Sequence, residues 1–134
     1  MSADLNYSIK RLVRGLVSDN HLVKRGFYLS LSQVLSRFKK QTDPLKFLRF
    51  VADECRTSKG MKKPEVNALI IGKMMCLTAT VESQLYQTSA SQLNHDALNM
   101  ATNDLLQMYK DHDFVRESIQ AILVKVLSQI TPLS

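Results

Sequence analysis

The chain has 134 residues, 45% of them apolar and 22% charged, which suits one globular domain with a real core and excludes a disordered chain. It holds only four Gly and three Pro, the latter at Pro44, Pro64 and Pro132, too few breakers for a many-turned β architecture. The net charge of +6 is unevenly spread: residues 1–73 hold 15 Lys/Arg against six Asp/Glu, residues 74–134 three against six, so a polyanion or an acidic partner is expected for the first half, or simply a solvated surface.

The predicted elements are all helices. Leu5, Ile9, Leu12, Val13 and Leu16 recur at the spacing of one helix face over about 5–17. Ser18-Asp19-Asn20 breaks that helix and offers caps to a second, about 20–38, with Leu22, Val23, Phe27, Leu31, Val34, Leu35 and Phe38. Asp43-Pro44 restarts the chain as a cap followed by Pro at the first helical position, and helix three runs to about Arg56. The stretch Thr57–Pro64 is the obvious loop. Helix four, about 65–86, is apolar nearly all round, the mark of a central element. Helix five covers about 91–110 and helix six about 113–130, where Thr131-Pro132 stops it.

Short connections make consecutive helices antiparallel neighbours. The expected fold is therefore all-α: an α-α superhelix, or HEAT/armadillo-like solenoid, of three antiparallel helix pairs. One domain, 1–134, would comprise repeats of approximately 1–42, 43–88 and 89–134. A four-helix bundle with two added helices is the alternative.

An internal repeat supports the solenoid. A shift of 92 residues carries Asp19 onto Asp111, Val23 onto Val115, Lys24 onto Arg116 and Leu31 onto Leu123; half that shift, 46, carries Asp19 onto Glu65, Gly26 onto Gly72 and Leu35 onto Val81. The acid is expected to cap the second helix of each pair. The base that follows is expected to reach the acid of the adjacent repeat, with Ile70 breaking that ladder in the middle copy. Gly26, Gly72 and Ser118 share a position where a small side chain would allow close helix approach.

No catalytic constellation is visible. His21, His95 and His112 lack metal-ligand spacing, and the four glycines form no phosphate loop. Cys55 and Cys76 sit in apolar-periodic stretches without a CxxC, and Met1-Ser2-Ala3-Asp4 does not open a signal peptide. Both are expected to be reduced core thiols of an intracellular protein. Asp53 and Glu54 point to different helix faces. No apolar run is long enough for a bilayer, so a soluble chain without membrane contact is expected. No enzyme activity, cofactor or metal is expected.

Three segments carry a family resemblance. Tyr7 and Ile9-Lys10-Arg11-Leu12-Val13-Arg14-Gly15-Leu16, with Val23-Lys24-Arg25-Gly26-Phe27, closely resemble the opening signature of the DNA polymerase V (phi) / Myb-binding protein 1A family. Ile71–Ala79 is similar to a second block, with Met75 in place of Phe and Cys76 in place of Gly. Lys110–Glu117 is similar to a third, with Phe114 in place of Trp. The blocks fall in family order over nearly the whole chain, and members are much longer proteins, so the resemblance implies that this domain is the N-terminal part of a longer solenoid.

The resemblance implies a nuclear, mainly nucleolar protein, active in rRNA gene transcription, ribosome biogenesis and transcription-factor binding. The leading expectation is a non-catalytic scaffold whose partners are transcription or ribosome-assembly proteins, with rDNA or rRNA as further candidates. The first alternative is direct nucleic-acid binding, or acidic-partner binding, by Lys10, Arg11, Arg14, Lys24, Arg25, Arg37, Lys39, Lys40, Lys59, Lys62 and Lys63. Little aromatic interleaving accompanies these cations, so stacking on single-stranded bases is not indicated. The second alternative is a cytoplasmic HEAT-type protein adaptor.

Overall fold

The computed structural model describes residues 3–18, 21–89 and 92–130. Six α-helices run through them: α1 (Ala3–Val17), α2 (His21–Arg37), α3 (Pro44–Glu54), α4 (Lys63–Glu82), α5 (His95–Asp111) and α6 (Arg116–Ile130). Single 3-10 turns, Lys39–Gln41 and Asp113–Val115, lead into α3 and α6.

The helices form two layers. α1 packs on α3 and α3 on α5; α2 packs on α4 and α4 on α6. Within each pair the first helix packs on the second, and α4 also touches α1 and α5. This is a helical-repeat stack of antiparallel pairs, with α4 at its centre. The sequence dictates that placement: α4 buries Ala68, Leu69, Ile70, Cys76, Leu77, Ala79 and Val81 over more than half of its circumference, and half-buried Ile71 and Met75 fill much of the rest. α1, by contrast, is amphipathic. It buries Ile9, Val13 and Leu16, while Asp4 in its first turn and Arg14 in its last complement the helix dipole.

One core runs through the stack, joining Ile9, Val13 and Leu16 to Leu31, Leu35, Phe47, Leu48 and Val51, then to α4, Leu105, Ile119 and Val126. Gly72 lets α4 lie directly on the end of α1, since a β carbon there would stand 2.6 Å from the Leu16 carbonyl oxygen and 2.8 Å from the Val17 α carbon. The other copies of that repeat position do not share the role. Gly26 is exposed with nothing within 4 Å, and Ser118 is exposed too.

Asp43 caps α3 as the Asp-Pro pair requires: its Oδ1 accepts from the backbone N–H of Leu45 at 3.0 Å and of Lys46 at 3.4 Å. The acids of the 46-residue repeat behave otherwise. Asp19 lies outside the described residues. Glu65 is an exposed first-turn residue of α4, where it favours the helix dipole without being the N-cap, a position held by Lys62. Asp111 ends α5 and accepts from Gln107 Nε2 at 3.1 and 3.0 Å, and it makes no cap for α6.

The structure adds an element the periodicity does not predict. α4 stops at Glu82, short of the expected 86, and the chain forms a small antiparallel ribbon, β1 (Gln87–Ser89) with β2 (Gln92–Leu93). The stop is a Schellman arrangement: Leu85 N–H reaches the Thr80 carbonyl at 3.0 Å, and Gln84 N–H the Val81 carbonyl at 3.1 Å. Gln84 takes the left-handed conformation, φ 52°, that this cap demands. Leu85 and Tyr86 then bury themselves, and Asn94 caps α5 through the N–H of Ala97 at 3.0 Å. Among the described residues no helix is long and apolar enough to cross a membrane.

Candidate binding surfaces

The basic residues singled out from the sequence do not form one tract. Lys10 and Arg14 stand on α1 where it faces α3, with Lys10 Nζ 5.5 Å and Arg14 Cζ 5.7 Å from the centroid of the Phe50 ring, close enough for cation–π attraction. Arg14 Nε also lies 3.4 Å from Glu54 Oε1. Arg11 is exposed on α1 and Arg25 on α2. Arg37, over the ring of Phe38 at 5.9 Å, groups with Lys39 and Lys40 where α2 hands over to α3. Lys39 is half-buried, and that burial pushes its ammonium below the usual lysine value. Lys59, Lys62 and Lys63 are exposed at the opposite end of α3, on its loop to α4. α3 has 11 residues, so its two ends stand about 16 Å apart.

Lys24 leaves the set of accessible cations. It is only 4% exposed. Its Nζ donates to the carbonyl of Leu16, at the end of α1, and to that of Ala68 in α4 at 3.4 Å. A lysine read as surface is therefore a tie between three helices.

Nor does the expected ladder of base to neighbouring acid form at Arg116. Its guanidinium pairs with Asp113, three residues back, at 3.0 Å and donates to the carbonyl of Tyr109 at 2.8 Å, closing the end of α5. The ion pairs that do bridge the repeats use other residues: Arg14 with Glu54, and Lys125 of α6 with Glu82 of α4.

The structure brings two unforeseen cations beside Lys10. Lys46 and Arg49, three apart and exposed on α3, line a groove of about 390 Å³ between α1 and α3 together with Lys10, Asn6 and Thr42. Ile9, Phe47 and Phe50 form its floor; Ile9 and Phe47 are buried and Phe50 half-buried. Asp53 closes one end of the groove but is already held by Arg56 at 3.0 Å. Lys10, Lys46 and Arg49 make no ion pair with any described residue.

A second, smaller cavity of about 190 Å³ lies among α3, α4 and α5, lined in part by Cys55, Lys73, Asp104, Asp111 and His112. Burial pushes the Cys55 thiol up to about 12 and the Cys76 thiol well above its usual value, so neither supplies thiolate near neutrality. Burial likewise raises Asp104, against the opposing pull of Lys73. Among the described residues no group of three or more His, Cys, Asp or Glu is placed to hold a metal ion. The side chain of His21 lies outside the described residues, His95 is exposed, and His112 packs its ring 6.1 Å from that of Phe114.

Fold and surface together define a helical-repeat protein whose exposed features include a cationic groove, scattered basic patches and apolar side chains such as Val124 and Leu127. The family model for DNA polymerase phi matches residues 7–133, nearly the whole chain, and the chain belongs to that family. A comparison with curated proteins finds no match, and neither does a comparison with solved structures.

Proposed function

We propose that this chain is a non-catalytic, protein-binding scaffold that works in the nucleus, chiefly the nucleolus, in rRNA gene transcription and ribosome biogenesis. The observation that carries the binding role is the apolar surface of the third helix pair: Leu106 is 45%, Val124 65% and Leu127 59% exposed. On α6, Val124 points away from Ile119, Ile122 and Val126, which bury the opposite face, and Leu127 stands at the edge of that face. Val124 and Leu127 stand 46 residues beyond Thr78 and Val81 of α4, which lie half-buried and buried within the stack. Apolar residues at a position that the preceding repeat covers suit contact with further protein. The nucleolar setting rests on membership of the DNA polymerase phi family; the partners are transcription and ribosome-assembly proteins.

The test is cellular. The full-length protein carrying a fluorescent tag should concentrate in nucleoli, and its depletion should lower the rate of precursor rRNA labelling. Exclusion from the nucleus, or unchanged labelling after depletion, overturns the assignment and favours a cytoplasmic adaptor.

A second reading, direct nucleic-acid contact, draws support from Lys59, Lys62 and Lys63, three exposed cations on the α3–α4 loop and the first residue of α4. Phosphate contacts of that kind give affinity that falls steeply with salt. Titration with duplex rDNA and rRNA at two salt concentrations decides it, and no binding at low salt removes it.

A further inference from the structure

We propose that the groove between α1 and α3 binds an acidic segment of a partner protein that carries a bulky apolar side chain. The inference rests on the protein-binding reading above and names the chemistry of one partner site.

The groove has two halves with different demands. Its floor of Ile9, Phe47 and Phe50 offers apolar surface, which an aliphatic or aromatic side chain would cover favourably. Its rim is cationic from both walls: Lys10 from α1, Lys46 and Arg49 from α3. None of the three is neutralised by a described residue, while the nearby acids Asp53 and Glu54 are engaged by Arg56 and Arg14. An anchor residue seated on the floor would place flanking carboxylates against cations on either side. Such an arrangement fixes register as well as sign.

A nucleic acid fits the same place less well. Phosphates would meet the rim, but nothing in a sugar-phosphate backbone covers an apolar floor.

The probe is a fluorescein-labelled peptide with a central Phe-Leu pair flanked on both sides by Glu and Asp, followed by fluorescence anisotropy with the whole chain. The variant K46E/R49E reverses two rim charges. The control K59E/K63E makes the same change in net charge on the α3–α4 loop. All four side chains are exposed, and thermal melts check that both variants keep the fold. We expect K46E/R49E to weaken binding at least about tenfold and K59E/K63E to leave it within about twofold. Replacing the Phe-Leu pair by Ser-Gly should also weaken binding about tenfold.

Equal weakening by the two reversals, undiminished binding of the Ser-Gly peptide, or displacement of the peptide by RNA of equal charge at lower concentration each overturns the proposal. No peptide binding at low salt also overturns it. With nucleolar concentration of the full-length protein intact, that last result removes the groove as a site and leaves the scaffold reading standing.

Discussion

Gly72 and Leu16 meet backbone to backbone: a β carbon on Gly72 would stand 2.6 Å from the Leu16 carbonyl oxygen. That same oxygen accepts a hydrogen bond from the buried Lys24. The junction of α1, α2 and α4 is thus set by a missing side chain on one helix and an ammonium from another. Backbone atoms cannot rotate away as a side chain can, so Gly72→Ala must separate α4 from α1. We expect a loss of about 1–3 kcal/mol. Gly26→Ala, at the same repeat position on an open surface, should gain about 0.5–1 kcal/mol from reduced unfolded-state freedom. Urea unfolding followed by circular dichroism reads both signs, and equal effects at the two glycines would contradict the close approach.

Lys24 offers a second contrast with its neighbour. Removing the ammonium in Lys24→Met leaves the Leu16 carbonyl without this donor in a buried place, at a cost of about 1–3 kcal/mol. Arg25→Met changes an exposed side chain and should stay within about 0.5 kcal/mol. Denaturant midpoints for the two variants give the comparison, and a neutral Lys24→Met would show that the buried bonds add nothing.

Tyr86 sets an alkaline limit to stability. Its hydroxyl donates to Gln129 Oε1, and Gln129 Nε2 donates in turn to the Val81 carbonyl at 3.1 Å, joining the end of α4 to α6. Burial pushes the phenol up to about 12 from its usual 10. A group whose pKa is raised by folding contributes stability that is complete below its unfolded value and lost above it. Through Tyr86 alone, stability should therefore hold steady up to about pH 10 and fall between pH 10 and 12. Cys55, also raised to about 12, acts in the same direction from about pH 9. Phenolate absorbance should show Tyr86 titrating late, and Tyr86→Phe should remove that late step and shrink the alkaline loss.

Much of the fold was legible because the deciding signals were local. Asp43-Pro44 is a helix start in two residues, and the all-round apolarity of α4 announces its central place. The stop of α4 was not legible. Its left-handed cap residue is Gln84, and without Gly or Asn there the apolar period runs on toward Tyr86, hiding both the Schellman turn and the ribbon. Lys24 carried a usable signal: it falls seven residues before Leu31 and eleven before Leu35, on the buried face, whereas Arg25 is turned a hundred degrees away. The adjacency of two cations read as a solvated patch and masked it. Lys46 and Arg49 carry little signal of their own, interleaved as they are with apolar residues in helix three. Their spacing of three places them on one face, but only the packing of α3 on α1 brings that face to Lys10.

Capping separates what the repeat implied from what the structure does. The repeat assigns the turn acids, Asp111 among them, to the N-termini of the second helices. In the structure a helix cap is instead made by Asp43, which belongs to no copy of the 46-residue pattern and accepts two backbone N–H groups. Asp43→Ala should cost about 1 kcal/mol, the usual loss for a helix deprived of its cap. Asp111 is exposed and bonds only the side chain of Gln107 within its own helix. A carboxylate at that end also opposes the helix dipole. Asp111→Ala should accordingly change stability by less than about 0.5 kcal/mol. Thermal and urea midpoints for the pair decide the point: a larger loss at Asp111 than at Asp43 would return the capping role to the repeat acid.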